Sequence, residues 1–419
     1  MKRLVITHAA ELITCQGCAP KTGLAMSQLD IIEDGAVVIE DGIIERTGST
    51  EQIVAALKGT EYVTLDAGGK CVLPGFIDSH NHFVFGGYRA EEFSWRLKGD
   101  SYMAIMERGG GIANTVRATR QASREELTEL AKTRLDDMLA MGITTVEGKS
   151  GYGLDLDTEI KQLEVLNDLA GQHPVEVIPT FLGAHAVPSE YQGHSGEFID
   201  FLIEKVLPVV AERNLAKFCD VFCEKGVFSV DESRKLLLAA QKLGLKSKLH
   251  ADEIVQLGGS ELAAEIGAVS ADHLLHISDM GIAQMAEKNV VATLLPATAF
   301  SLREPYARGR EMIDRGVPVA LASDFNPGSC FTQSIPLIIA LAALNMKMSP
   351  AEIITALTIN AAAAIDSADR LGSIEAGKQA DILILEYPSH LYLPYHIGMN
   401  IVETVVKKGK VVWTKKKGT

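Results

Sequence analysis

From residue 73 onward the chain alternates between two rhythms of apolar and polar positions. Short, β-branched, largely apolar runs give way to stretches in which apolar residues recur every three to four positions, the patterns of strands and of amphipathic helices. The strand-like runs are GFIDSHNH, ITTVEGKS, VEVIPTFLGAH, CDVFCE, SKLHADE, AVSADHL, VVATLLPATAF and PVALASDFNP. Between them lie helical patterns such as SREELTELAKTRLDDMLAMG, with Ser123 as N-cap, Glu126 at the capping-box position and Gly142 as terminator. Eight strands alternating with helices over about 300 residues predict an α/β fold, a (β/α)8 barrel.

The ends of the chain follow a different pattern. AVVIEDGIIERTG places Asp41-Gly42 between two apolar runs, a hairpin signal. After SIEAGKQ the strand rhythm returns in ADILILEY and ETVVKKGKVVW, with no helix expected between them. The predicted organisation is a barrel at 73–372 inserted into a small β-sandwich domain formed by both termini, 1–72 and 373–419. There is no internal repeat and no low-complexity segment.

Bulk composition narrows the function classes. A chain of 419 residues exceeds the usual size of one core. With 47% hydrophobic and 22% charged residues it has the make-up of a soluble globular protein. The longest apolar stretch, 335–344, is too short to span a bilayer. Met1-Lys2-Arg3 begins like an export signal, but His8 and Glu11 interrupt the apolar run, so none is expected. A net charge of −14 argues against a nucleic-acid partner. The basic tail at 407–417 reads as a solvated end, so an anionic substrate would need a local cation. Six cysteines in so long a chain do not make a secreted framework. Cys15 and Cys18 read as free thiols in a loop, and Cys219 and Cys223 as small buried residues on one strand face. A cytoplasmic protein with neither membrane nor nucleic-acid partner is expected.

Candidate chemistry falls late in the strand-like runs. His80 and His82 end the first, with side chains on one face because strand positions alternate. His185 ends the third, His250 the fifth, His273 the sixth and Asp324 the eighth, and active sites of such barrels form at that carboxyl face. His8, His173, His194, His390 and His396 are scattered, and His276 lies just past the sixth run. Three imidazoles (His80, His82, His250) and one carboxylate (Asp324) suit Zn²⁺ or Fe²⁺. Such an ion lowers the pKa of bound water to about 7. No Lys ends the fourth run, so one metal is expected rather than a pair bridged by a modified lysine. Glu253, three residues past His250, belongs to the following loop and can return over the site as a proton shuttle. His273 could hold or polarise a substrate carbonyl. Arg89 in the loop after HNH could pair bidentately with a carboxylate. Tyr152 offers a hydroxyl, and Asn326-Pro327-Gly328-Ser329 polar groups and exposed backbone. The Gly109-Gly110-Gly111 run lacks a P-loop Lys and reads as a loop, not a phosphate site.

These residues resemble the amidohydrolase superfamily through LPGFIDSHNH, Asp324, and TINAAAAI…LGSIEAGKQADILIL. Within it the chain is similar to the imidazolonepropionase family, through HNHFVFGGYRAEEF, EGKSGYGLDLDTE, TFLGAHAVPSEY, CEKGVFSV, KLHADE…LGGSELA, SADHL, SDFNPGS and LYLPYHIGMN. The resemblance implies metal-dependent hydrolysis of the cyclic amide of 4-imidazolone-5-propanoate to N-formimidoyl-L-glutamate, the third step of histidine degradation. It further implies one divalent or trivalent ion, Zn or Fe, held by His80, His82, His250 and Asp324. Substrate contacts carry over to Arg89, Tyr152, His185, Glu253 and Ser329, with Asn326 and Gly328 near the product. The catalytic set becomes Glu253, His273 and Asp324, acting on a small molecule with a carboxylate tail; a homodimer is common among such barrels. Asn81 stands where the family usually has Thr, LLPATAF replaces an LLPGTTF-like run, and Cys330-Phe331 follow Ser329 where Ser-Pro is common. The competing readings are a deaminase or other cyclic amidohydrolase on the same barrel, and a non-catalytic metal-binding barrel. The last would show a missing ligand or proton shuttle, and none is missing.

Overall fold

The structure, a computed structural model, describes residues 3–100 and 108–416. Met1-Lys2 and Lys417, which belong to the charged ends considered above, lie outside the described residues, as does 101–107. Eight strands, β1 (Phe76–Asp78), β2 (Ile143–Lys149), β3 (Glu176–Ala184), β4 (Phe218–Cys223), β5 (Lys246–Ala251), β6 (Ser270–His273), β7 (Val291–Leu294) and β8 (Val319–Leu321), pair in sequential order. Every adjacent pair is parallel. Helices cover the outer face, so the strands are buried on both sides and read as near-continuous apolar runs. In β2 every residue is buried.

Closure between β8 and β1 occurs at the strand ends rather than along a ladder. Asn81 bridges Phe325, His82 N–H donates to Phe325 O at 3.0 Å, and Asp324 N–H donates to His80 O at 3.0 Å. Below this, the buried Asp78 carboxylate accepts from Ser323 N–H (3.0 Å), Ser323 Oγ (2.5 Å) and Asn81 Nδ2 (2.8 Å). The seam of the barrel is therefore the segment that carries His80, His82 and Asp324.

The helix Arg124–Ala140 has the expected N-cap, with Ser123 Oγ accepting from Glu126 N–H, but Glu126 does not return the second bond of the capping box. Both termini meet in a mixed sheet ordered Lys410–Thr414, Val402–Lys407, Ile382–Leu385, Cys71–Pro74, Leu4–Ile13, Ile31–Glu40, Ile43–Ser49, with Val63–Asp66 pairing beside Leu4–Ile13. The expected hairpin is present. Asp41 (φ 53°) and Gly42 (φ 82°) both take the left-handed conformation that a two-residue turn requires.

Three local expectations need correction. LLPATAF is not strand throughout: β7 stops at Leu294 and a helix, Pro296–Leu302, begins with proline in its first turn, where the missing N–H costs nothing. A short helix, Tyr392–Tyr395, interrupts the return to strands. Lys407 is not part of a solvated tail: it is buried, with Nζ 2.7 Å from Asp381 Oδ2. Cys219 and Cys223 are buried and unpaired, Cys15 is buried and Cys18 exposed. No helix among the described residues is long and apolar enough to cross a membrane.

Candidate active site

Each candidate side chain leaves the barrel at the carboxyl end of a strand or in the loop beyond it. His80 and His82 follow β1, and Asn81 between them turns away, donating through Nδ2 to Asp78 and Ser323. The two Nε2 atoms lie 3.3 Å apart, and Asp324 Oδ1 lies 3.5 Å from the first and 3.4 Å from the second. Asp324 (φ 49°) holds that orientation because Thr298 Oγ1 donates to its other oxygen at 2.7 Å. The His250 ring, from β5, sits 4.5 Å from that of His80 and 5.5 Å from that of His82.

These groups fit a cation. Among the described residues, His250 Nε2 is buried without a hydrogen-bond partner, and His82 Nε2 has near it only His80 Nε2 and Asp324 Oδ1, which is costly unless something else completes them. Burial drives His82 and His250 below the usual histidine range, so both rings are neutral and offer lone pairs. Burial and Lys149 also oppose charging of His80, yet hydrogen bonds to Asp272 and Asp324 outweigh them and raise it to about 9. The cluster is built around a positive charge. Three imidazoles with one carboxylate are a donor set for Zn or Fe once the His80 proton gives way to the ion.

A buried layer of charge lies beneath. His80 Nδ1 meets Asp272 Oδ2 at 2.6 Å, and His250 Nδ1 lies 3.0 Å from Asp220 Oδ2. Lys149 Nζ is 2.7 Å from Asp220 and 2.9 Å from Glu147, while Lys248 Nζ is 3.0 Å from Glu147 and donates to Ser79 O at 2.9 Å. All five charged side chains are fully buried. Burial opposes ionisation of both carboxyls, but His250 and Lys149 beside Asp220, and Lys248 and His80 beside Asp272, hold them below the usual carboxylate range, and the two carboxylates orient the rings with Nε2 toward the cluster. Sequence reasoning missed these residues and Thr298. Charged residues inside otherwise apolar strand runs, TTVEGK, CDVF, SKLH and SADH, were the available signal.

Above the cluster is a cavity of about 530 Å³, within the range of small-molecule sites. Every candidate except His80 lines it: His82, Arg89, Tyr152, His185, His250, Glu253, His273, Asp324, Asn326, Gly328 and Ser329. His276 does not. Glu253 reaches the cavity because the loop after β5 turns back. Asp252 (φ 49°) accepts the N–H groups of Leu257, Gly258, Gly259 and Ser260, fixing that turn. Burial, then the charges of Asp324 and Glu224, push the Glu253 carboxyl up to about 8. His273 (φ 75°) stands 3.6 Å from Glu253, and burial lowers it to about 4, so its ring is neutral.

The opposite wall is equally fixed. Glu159 accepts from Gly151, Gly153 and Leu154 N–H, and Gln162 from Tyr152 N–H, locking the loop that carries Tyr152. His185 Nδ1 meets Gly151 O at 3.0 Å, and burial lowers the ring to about 3. Asn326 is largely engaged within its own turn: Oδ1 accepts from Gly328 and Ser329 N–H, both at 2.8 Å, and Nδ2 donates to Asp324 O at 2.7 Å.

A parallel barrel with imidazoles and carboxyl groups converging on a cavity at its carboxyl face has the architecture of the cation-dependent barrel hydrolases. Comparisons with known proteins are specific. The amidohydrolase family matches residues 100–413. The imidazolonepropionase of Clostridium tetani is 60% identical over 412 residues, 98% of each chain, and that of Parabacteroides distasonis 57% over 409 residues, again 98% of each. Among solved structures, a triazine hydrolase variant (TM-score 0.75, 18% identity, 98% of this chain and 95% of that one) shares the fold. So does Escherichia coli guanine deaminase (TM-score 0.72, 16% identity, 99% and 100%). The chain belongs to the amidohydrolase family and, within it, to the imidazolonepropionases.

Proposed function

We propose that the protein hydrolyses the cyclic amide of 4-imidazolone-5-propanoate to N-formimidoyl-L-glutamate, the third step of histidine degradation. One observation carries this reading beyond the family: a single cavity has the His82–His250–Asp324 cluster on its floor, Glu253 and His273 on one wall, and Arg89 among its lining. The proposed metal ligands are His80, His82, His250 and Asp324, with Zn or Fe as the ion. When bound, the ion supplies a Lewis acid and an acidified water.

The chain's own residues do the rest. Arg89 receives the propanoate carboxylate, while Tyr152, His185, Asn326, Gly328 and Ser329 surround the ring and the product. Glu253, titrating near neutrality, takes a proton from the attacking water and delivers it to the ring nitrogen as the amide C–N bond opens. The neutral His273 donates to the carbonyl oxygen as negative charge develops there. Asp324, oriented by Thr298, faces the same point.

The barrel at 73–372 is the proposed catalytic unit, with 1–72 and 373–419 forming the smaller one. A division near this point is supported by the break at Gly75 between Cys71–Pro74, in the terminal sheet, and Phe76–Asp78, in the barrel, which leaves Leu73 and Pro74 with the smaller unit. A homodimer and a reducing, cytoplasmic setting complete the reading; six unpaired cysteines support the latter.

The test is turnover by protein purified without added metal, with elemental analysis of the same sample. Imidazolonepropanoate should be consumed with one equivalent of Zn or Fe present, and guanine and hydantoins left intact. Deamination of guanine with no action on the imidazolone would overturn the reading in favour of a deaminase.

A further inference from the structure

Arg89 is the N-cap residue of the helix Ala90–Leu97, and its side chain is only 17% exposed. A guanidinium can meet a carboxylate along two edges, the Nε side or the end formed by Nη1 and Nη2. Here the Nε side is taken. Nε donates to Glu92 Oε2 at 2.8 Å, which leaves the Nη1/Nη2 end for a ligand. Glu92 is buried, 6% exposed, and is not free to follow a mobile arginine. The same Oε2 accepts from Gly111 N–H at 2.9 Å, and Oε1 accepts from Asn114 Nδ2 at 3.0 Å. Gly111 is the N-cap of the helix Ile112–Gln121, so one carboxylate joins the starts of two helices and the guanidinium between them.

The other side of Arg89 is bounded by the loop after β8. A Cβ on Gly328 would collide with Nη1 of Arg89 and lie 3.1 Å from its Cζ. The Gly328 backbone cannot retreat, because its N–H is held by Asn326 Oδ1. Nη1 thus occupies the volume that a side chain at 328 would fill.

We propose that Glu92 and Gly328 are positioning residues for tail recognition: Glu92 pins the Nε edge of Arg89, and Gly328 leaves the space in which its Nη1 lies. This rests on the reading of Arg89 as the partner of the substrate's carboxylate. It also makes a choice between two physical roles for Glu92. As a competing anion, Glu92 would weaken tail binding, and its removal would tighten it. As a positioner, its removal lets the guanidinium leave the end-on geometry, and tail binding is lost.

Calorimetry on the metal-loaded enzyme distinguishes these roles, with imidazole-4-propanoate as the tailed probe and 4-methylimidazole as the tail-less one. Glu92→Ala and Gly328→Ala should each weaken the tailed probe by about 10–100-fold, the size of one charge-assisted contact, with a much smaller change for the tail-less probe. In an Arg89→Met background neither should add further loss, since the group they position is gone. Glu92→Gln should restore most of the affinity: its Oε1 can take both donors at the Oε2 position, and a flipped Asn114 amide can accept from its Nε2. Unchanged or tighter tail binding by Glu92→Ala, or losses that multiply with Arg89→Met, would overturn the proposal. If Arg89→Met itself bound both probes as the wild type does, the reading of Arg89 would fail, and the positioning role with it. Turnover of the imidazolone by the wild type tests the proposed reaction separately.

Discussion

The two ends of the barrel are built from the same kinds of charged side chain, arranged to opposite effect. At the amino end, Glu176 opens β3 and pairs with Arg370 through both oxygens, Nη2 to Oε1 at 2.5 Å and Nη1 to Oε2 at 3.2 Å, while Oε2 also meets Gln379 (3.2 Å) and Lys407 (3.3 Å). Lys407 also meets Asp381 at 2.7 Å and Thr145 Oγ1 at 3.3 Å. Each charge has opposite charge beside it, and the set ties the start of β3 to the terminal sheet. At the carboxyl end, His82 and His250 keep buried nitrogens without partners, and His273 and Asp324 hold left-handed backbone conformations. A closed set of polar groups stabilises a junction. An open one holds unsatisfied capacity for a ligand, with local strain, which is the usual division of labour between the two faces of such a barrel.

Between the ends, the buried Glu147–Lys149–Asp220–Lys248–Asp272 layer is intermediate in character. Its own charges are paired, yet two of its carboxylates turn a face upward to His80 and His250. It is the step by which a stable interior comes to orient the proposed ligand set.

Removing a donor from the open end should have the largest effect. His250→Ala takes away one of the converging lone pairs, and bound metal and activity should disappear together while circular dichroism still reports a folded barrel. An active His250→Ala protein with full metal content would mean that the open end is not a metal site.

Glu253→Gln comes next. It removes the proposed proton-transfer group from the cavity wall and leaves the His80, His82, His250 and Asp324 set intact. kcat should fall by about 10²–10⁴-fold, with metal content unchanged by elemental analysis. Loss of metal in parallel would place Glu253 among the ligands instead.

The open end was the more legible in sequence. His80, His82, His250, His273 and Asp324 stand where apolar strand runs stop, and that local signal needs no partner to be read. Glu253 was placed in a returning loop by spacing alone, and it lines the cavity. Thr298 escaped because LLPATAF looks strand-like, whereas Pro296 starts a helix that turns the hydroxyl onto Asp324. The closed end was illegible for a different reason. Lys407 is paired with carboxylates 26 and 231 positions earlier in the chain. No local pattern distinguishes such a lysine from a solvated one, so it was read as tail. Charges whose meaning lies in a distant partner are visible only as breaks in an apolar run, as Lys149, Asp220 and Lys248 are.

Glu176→Gln tests the closed end and should have the smallest effect on catalysis. Burial opposes ionisation of Glu176, but Arg370 and Lys407 outweigh it and hold the carboxyl at about 2, against an ordinary value of 4.5. A carboxylate whose folded-state pKa is depressed stabilises the fold above its unfolded-state pKa, and that contribution is lost as pH falls through the folded-state value. The window is therefore about pH 4.5 down to about 2. At pH 7 the full contribution is present, and the substitution should cost roughly 1–3 kcal/mol, below the full pKa equivalent because the Glu176 side chain is partly solvated and the amide keeps some hydrogen bonds. Urea midpoints should show a gap between wild type and Glu176→Gln that is constant from pH 7 to 5 and narrows at pH 4 and 3. kcat at pH 7 should stay within about twofold, since the substituted group lies at the opposite end of β3 from the cavity. A gap that persisted unchanged to pH 3 would mean that Glu176 contributes by shape and neutral hydrogen bonding. A large fall in kcat would mean that the two ends of the barrel are not separate in function.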